Sequence, residues 1–227
     1  MPKLLAFDTS TEHLSVAVRN GDALHVHTGA GGAQSSTTLI PLIQQLLADA
    51  GLTLRQLDAI AFGRGPGSFT GLRTACSVAQ GLGFGAGLRL LPIDTLHAVA
   101  EEAREQFGAR RVVALLDARM DQVYAAACDF DAEESANEPR LLAPEEVHVP
   151  EGWALAGNAF RAYGDRLPAA AARHEALPTA AALLRLAPAM IAAGRTVAPA
   201  DAWPLYVRDK VAQTTEERMR IRSGTTT

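Results

Sequence analysis

The chain has 227 residues, a formal net charge of −4 at pH 7, and 48% hydrophobic against 20% charged residues. That is enough for one large domain or two small ones with a sizeable core, and the acidic balance lacks the basic footprint of a stand-alone nucleic-acid binder, so RNA contact would need a partner protein. No run approaches the roughly 20 apolar residues of a membrane span, the apolar start meets Asp8 too early for a signal peptide, and Cys76 and Cys128 fall on apolar segments as buried free thiols, so a cytoplasmic protein without membrane contact is expected.

Leu4–Phe7 reads as a short apolar strand, and Asp8-Thr9-Ser10-Thr11-Glu12 has turn chemistry. Leu14–Arg19 is a second strand, Asn20-Gly21 a hairpin turn, and Ala23–Thr28 completes a meander. A helix capped near Ser36 or Thr37 carries Leu39, Leu42, Ile43, Leu46, Leu47 and Ala50 at helical spacing and stops at Gly51. The strand Leu57–Phe62 then leads through Gly63-Arg64-Gly65-Pro66-Gly67-Ser68 into a helix over Phe69–Gly83. A strand at Leu88–Ile93 and a helix at Thr95–Gln106 follow, then strands at Val112–Leu116 and Val123–Cys128. Residues 131–152 read as a polar insertion loop, Trp153–Ala156 as a strand, and Thr179–Ala193 as a helix kinked by Pro188 and ended by Gly194. The tail, with Arg208, Lys210, Arg218, Arg220 and Arg222 among Asp209, Glu216 and Glu217, is the one locally basic stretch and reads as a solvated end.

The chain repeats itself. When Asp8 is laid on Asp117, Glu12 falls on Asp121, Leu14 on Val123, Ala17 on Ala126 and Val18 on Ala127. An acid at the end of a first strand, another acid four residues on, and a returning strand recur in register. Two such halves resemble duplicated ribonuclease-H-like units, the α/β architecture of the actin, sugar-kinase and Hsp70 superfamily, with mixed sheets flanked by helices. The expected division is residues 1–100 and 101–227.

The stretch from Gly63 to Arg73 admits two readings: a strand, glycine loop and helix N-terminus can cradle phosphate, or glycines can bring two backbones close. In the superfamily named above the first hairpin holds phosphate, and Asp8 and Thr9 would be a vestige of that site. The second hairpin would then need small residues; Arg119 and Met120 stand there instead and are expected to fill the space between the halves. That disfavours the alternative function, an ATP-binding kinase or ATPase. Of the histidines only His25 and His27 are close, without a third ligand, so no metal site is expected. Ser68 lies outside a Gly-x-Ser-x-Gly elbow and reads as a helix N-cap, as does Thr70. Gly71, Ala75, Ala79 and Gly83 form a small-residue stripe beside Leu72, Val78 and Leu82, and the preceding helix has more apolar surface than one core face needs. These two helices are candidates for a subunit interface, with Leu39, Ile43, Leu46, Gly71, Ala75 and Leu82 as the expected contacts.

Five blocks, in order and spacing, carry a closer resemblance: Asp8-Thr9-Ser10-Thr11 with Ser15-Val16-Ala17, Gly63–Arg73, Ala79-Gln80-Gly81-Leu82, Asp117-Ala118-Arg119-Met120 with Val123-Tyr124, and Pro204-Leu205-Tyr206-Val207-Arg208. From residue 2 to about residue 212 the chain resembles the TsaB (YeaZ) family. The resemblance implies a non-catalytic paralogue of TsaD, which forms threonylcarbamoyladenosine at adenosine 37 of tRNAs reading codons that begin with A. It implies a heterodimer with TsaD through the first two helices, docking of the ATPase TsaE on that pair, and tRNA contact only through the complex. It also implies homodimers through the same helices when alone, and no cofactor of its own, the nucleotides belonging to TsaD and TsaE.

Overall fold

The computed structural model describes residues 2–132 and 136–208. A continuous apolar run in β1 (Leu4–Asp8) and the Asn20-Gly21 turn between β2 (His13–Asn20) and β3 (Ala23–Ala30) build an antiparallel meander. β4 (Ala59–Gly65) lies parallel to β1, and β5 (Arg89–Asp94) parallel to β4, giving the order β3-β2-β1-β4-β5. The second sheet repeats this plan strand for strand: β6 (Arg111–Arg119) is antiparallel to β7 (Gln122–Asp129) and parallel to β9 (Ala154–Gly157), with β8 (Arg140–Leu142) and β10 (Ala172–Glu175) at its edges. The duplication seen in the sequence is therefore a duplication of fold, two ribonuclease-H-like units. β8 lies inside the stretch expected to be an insertion loop; it is the counterpart of β3, shortened to three residues.

The helices distribute the core. α1 (Ser35–Asp49) and α2 (Phe69–Ala86) cover one face of the first sheet, burying Leu39, Ile43, Leu46, Ala75, Cys76 and Ala79 against Leu5, Phe7, Val16, Ile60 and Phe62. α3 (Thr95–Phe107) packs Leu96, Val99, Ala100 and Ala103 on the second sheet. The one-turn helix α4 (Phe160–Tyr163) follows β9, and Tyr163 packs against the opposite face. α5 (Ala180–Ala192) returns from the second half of the sequence to cover the other face of the first sheet, where Leu183 and Leu184 meet Leu4, Ala6 and Ile93. The boundary expected near residue 100 thus cuts through α3, and α3 and α5 form the seam between the sheets. Arg185 bridges that seam to Glu101 at 2.9 Å and Glu102 at 2.7 Å, and Glu101, 2% exposed, also holds Arg104 at 2.8 Å.

Caps differ in part from expectation. α1 starts at Ser35, and the Thr37 and Thr38 hydroxyls bond back to the Gln34 carbonyl instead of capping. Ser68 stands at the N-cap of α2 but makes no side-chain cap bond; its backbone N–H donates to the Ser10 carbonyl at 2.7 Å. Thr179 caps α5, accepting from the Ala182 N–H at 3.0 Å. Both cysteines are buried free thiols. The basic tail beyond Arg208 lies outside the described residues. Among the described residues no helix is long and apolar enough to cross a membrane.

Candidate functional site

The glycine segment is used within its own lobe. A Cβ on Gly63 would overlap the Asp8 carboxylate, one on Gly67 the Ser10 carbonyl, and one on Gly71 the Thr9 carbonyl. Three glycines at four-residue spacing therefore seat three successive residues of the β1–β2 turn, the close approach only glycine permits. The Thr9 hydroxyl donates to the Gly71 carbonyl at 2.7 Å and so locks the turn to α2. Of the two readings of the glycine segment, close backbone approach is the one the geometry matches.

Asp8 and Thr9, the expected phosphate vestige, are both buried, and neither lines the cleft between the sheets. Asp8 Oδ1 accepts from the Ser10 N–H at 2.8 Å and the Ser10 hydroxyl at 2.5 Å, while Oδ2 faces Gly63 with no partner. Burial pushes the Asp8 carboxyl up to about 6, against the lowering effect of the Ser10 bonds.

The cleft holds about 720 Å³ and is lined by Ser10, Thr11, Glu12, Ser68, Asp117, Arg119, Asn158 and Arg161, among others. Arg119 and Met120 do not fill it, contrary to expectation. Arg119 is 80% exposed with its guanidinium 3.0 Å from Asp117, and Met120 lies outside the cleft, its sulfur 2.9 Å from Arg208. The backbone at this tip is unusual: Arg119, Met120 and Asp121 are all left-handed, with φ of 61°, 55° and 57°, and Arg119 lies at the cleft wall beside Asp117 while Met120 stands outside it. That tip is held on several sides. Asp117 accepts from the Arg119 N–H at 2.7 Å and the Tyr163 hydroxyl at 2.9 Å, Arg166 pairs with Asp121 at 2.7 Å, and Arg208 donates to the Ala118 carbonyl at 3.0 Å. Burial, aided by the Asp117 carboxylate, pushes the Tyr163 hydroxyl up to about 12 and keeps it a donor. Arg208 closes a strap in which Leu205 donates to the Arg64 carbonyl at 2.7 Å and the Tyr206 ring packs tilted against Phe69, centroids 5.2 Å apart. Among the described residues no three His, Cys, Asp or Glu side chains come together as a metal site.

The expected interface residues turn inward. Leu39, Ile43, Leu46 and Ala75 are core, Gly71 seats Thr9, and only Leu82 stays half-buried at the seam between α1 and α2. The same helices are poor in charge: α1 carries Asp49 alone and α2 Arg73 alone, whereas the shorter α3 carries four charges, Arg104 and Glu105 toward its outer side and Glu101 and Glu102 buried at the seam. On α2 the outward stripe is Thr70, Thr74, Ser77, Gly81, Phe84 and Gly85; Phe84 is 64% exposed, and nothing lies within 4 Å of a Cβ added at Gly81 or Gly85. On α1 Ile40 is 43% exposed, and beside it a hollow of about 290 Å³ is lined by Gln44, Leu47, Ala48 and Leu82. The inward small-residue stripe hid this second one; the missing charge was the signal that could have revealed it.

Comparison with known proteins places these features in a family. The family described as "TsaD: tRNA N6-adenosine threonylcarbamoyltransferase" matches residues 22–215. The tRNA threonylcarbamoyladenosine biosynthesis protein TsaB of Escherichia coli (strain K12) is 36% identical over 92% of this chain and 96% of its own length. The protein of the same description from Haemophilus influenzae is 38% identical over 92% of this chain and 94% of its own. The solved structure described as YeaZ from Pseudomonas aeruginosa superposes with a TM-score of 0.85 at 38% identity, covering 91% of this chain and 100% of that one. The resemblance carried by the five motif blocks is borne out: the chain belongs to the TsaB (YeaZ) family of tRNA threonylcarbamoyladenosine biosynthesis proteins.

Proposed function

We propose that this chain is a non-catalytic scaffold subunit that dimerises with the catalytic subunit TsaD through the outer faces of α1 and α2. The pair then forms threonylcarbamoyladenosine at adenosine 37 of tRNAs reading codons that begin with A. TsaE docks on the pair, tRNA is met through the complex, and the nucleotides belong to the partners. The observation that carries the reading is the charge-poor outer surface of two adjacent helices, which carry only Asp49 and Arg73, with Ile40 and Phe84 standing out beside glycines that serve no internal contact. Each glycine costs a helix about 1 kcal/mol relative to alanine, and close approach of a partner helix is the gain that offsets it. Depletion of charge with an exposed aromatic matches the core of a protein–protein interface.

A kinase or ATPase reading finds less support. Asp8 and Thr9, the pair it would use, are spent on the Ser10 and Gly71 contacts. The test is reconstitution of tRNA modification from TsaD and TsaE with this chain, wild type or Phe84→Glu. Modification that needs the wild-type chain and is lost with Phe84→Glu supports the reading. Full modification with the variant, or without the chain, overturns it.

A further inference from the structure

The outer face of α2 is bounded on one side by α1, with Leu82 at the seam, and on the other by the strap. The strap runs along that flank. The Ala202 carbonyl accepts from the Cys76 thiol at 3.3 Å and the Gln80 amide at 3.0 Å, and Tyr206 meets Phe69 and Arg73 nearer the start of the helix. Between these contact points stands Trp203, 68% exposed. Arg73 is the one charge of α2, and its side chain is already set. The guanidinium lies over the Phe69 ring, 3.8 Å from the centroid, and Nε donates to the Tyr206 hydroxyl at 3.3 Å. The strap that supplies Tyr206 is itself pinned, through Leu205 to the Arg64 carbonyl and through Arg208 to the Ala118 carbonyl.

What the cluster lacks is an acceptor for the open end of the guanidinium. Among the described residues no carboxylate lies within 4 Å of it, and neither Nη makes a hydrogen bond. In the free chain water serves those donors. A subunit seated on the outer face of α2 displaces that water, and a covered guanidinium without an acceptor is strongly unfavourable. The partner must therefore bring one. Resting on the reading that TsaD docks on this face, we propose that Arg73 takes a carboxylate of TsaD in a two-bond pair at the strap edge, with Trp203 and Tyr206 forming the wall of the contact. A carboxylate matches the planar fork, and a side chain already held by Phe69 and Tyr206 loses little freedom on pairing. Exposed Trp and Tyr beside Arg is also the composition of interface hot spots. An RNA phosphate matches less well: phosphate binding is built from several cations, whereas Arg73 is a single cation among aromatic rings, in a chain of net charge −4.

Calorimetric titration of TsaD with the full chain tests this contact, with Gly81→Leu alongside as the control for the helix face. Arg73→Gln should bind TsaD on the order of 30-fold more weakly, as when one partner of a covered charge pair is removed. Arg73→Lys, which keeps the charge and loses the fork, should fall between the two. Both should keep the wild-type thermal midpoint, and the Lys variant carries the test if the Gln variant unfolds. Added salt should weaken the wild-type complex more than the Arg73→Gln complex, a difference that a packing role would not produce. If Gly81→Leu loses binding while Arg73→Gln binds as wild type, the carboxylate contact is overturned and the helix face stands. If Gly81→Leu binds as wild type, the face is wrong and the proposal falls with it. Normal TsaD binding by Arg73→Gln with a raised KM for tRNA in the reconstituted reaction would assign Arg73 to a phosphate and also overturn the proposal.

Discussion

Two glycines of α2 should respond to alanine in opposite directions. The helical preference for alanine over glycine is worth about 1 kcal/mol at either position. At Gly81 nothing lies within 4 Å of the new methyl, so Gly81→Ala should stabilise the protein by about that amount. At Gly71 the methyl would overlap the Thr9 carbonyl. The obstructing atom is buried backbone and cannot rotate aside, so the overpacking cost falls toward the upper end of the roughly 1–3 kcal/mol typical of such insertions. Pushing α2 away also breaks the 2.7 Å bond from Thr9 to Gly71, a further loss of about 1 kcal/mol. After the helical gain, Gly71→Ala should be about 2–3 kcal/mol less stable than wild type. Urea unfolding followed by circular dichroism reads both, as midpoint shifts at unchanged slope. A Gly71→Ala protein as stable as wild type would refute the claim that the glycine motif seats the β1–β2 turn.

Because burial raises the Asp8 pKa to about 6 from its ordinary 3.8, the folded chain holds this proton more tightly than the unfolded chain. The stabilising contribution is full below about pH 4, is lost as pH rises through about 6, and amounts to about 3 kcal/mol. Wild type minus Asp8→Asn, measured by denaturant unfolding from pH 4 to 7, should show that decline; a flat difference contradicts it. Arg185→Ala leaves Glu101 to Arg104 and Glu102 to the Thr179 hydroxyl at 2.7 Å. The partial compensation puts the expected loss at about 2–3 kcal/mol, below that of a fully orphaned buried charge, and thermal unfolding checks it. Arg208→Ala removes the bond to the Ala118 carbonyl and the contact with Met120. Hydrogen exchange at Met120 and Asp121 should quicken, while the turn at Gly21 keeps its wild-type rate.

Most of the fold was legible because its signals are local. The apolar runs of β1, β4 and β6, the Asn20-Gly21 turn and the stripe of α1 each need only a few neighbouring residues. The repeat of Asp8 at Asp117 extended that to the architecture. β8 and β10 escaped because three or four residues, partly charged, hold no periodicity. The position of α5 on the first sheet escaped because it depends on contacts with residues far away in sequence. At the candidate site the spacing of Gly71, Ala75, Ala79 and Gly83 identified a face of α2 but not its direction. The turn at Thr9, which takes up that face, is remote in sequence. Arg119 and Met120 were misplaced for a different reason: side-chain size suggested a filled cleft, while at a left-handed tip Arg119 pairs with Asp117 along the cleft wall and Met120 meets Arg208 outside it.

The most direct test of the account is a calorimetric titration of TsaD with this chain and with Gly81→Leu. Gly81 faces outward with nothing around it, and leucine is a better helix former than glycine. The variant should keep at least the wild-type thermal midpoint while its affinity for TsaD falls by a factor on the order of 100, as expected when a side chain is forced into a close helix contact. Binding of Gly81→Leu with wild-type affinity would contradict the assignment of the partner surface to the outer faces of α1 and α2.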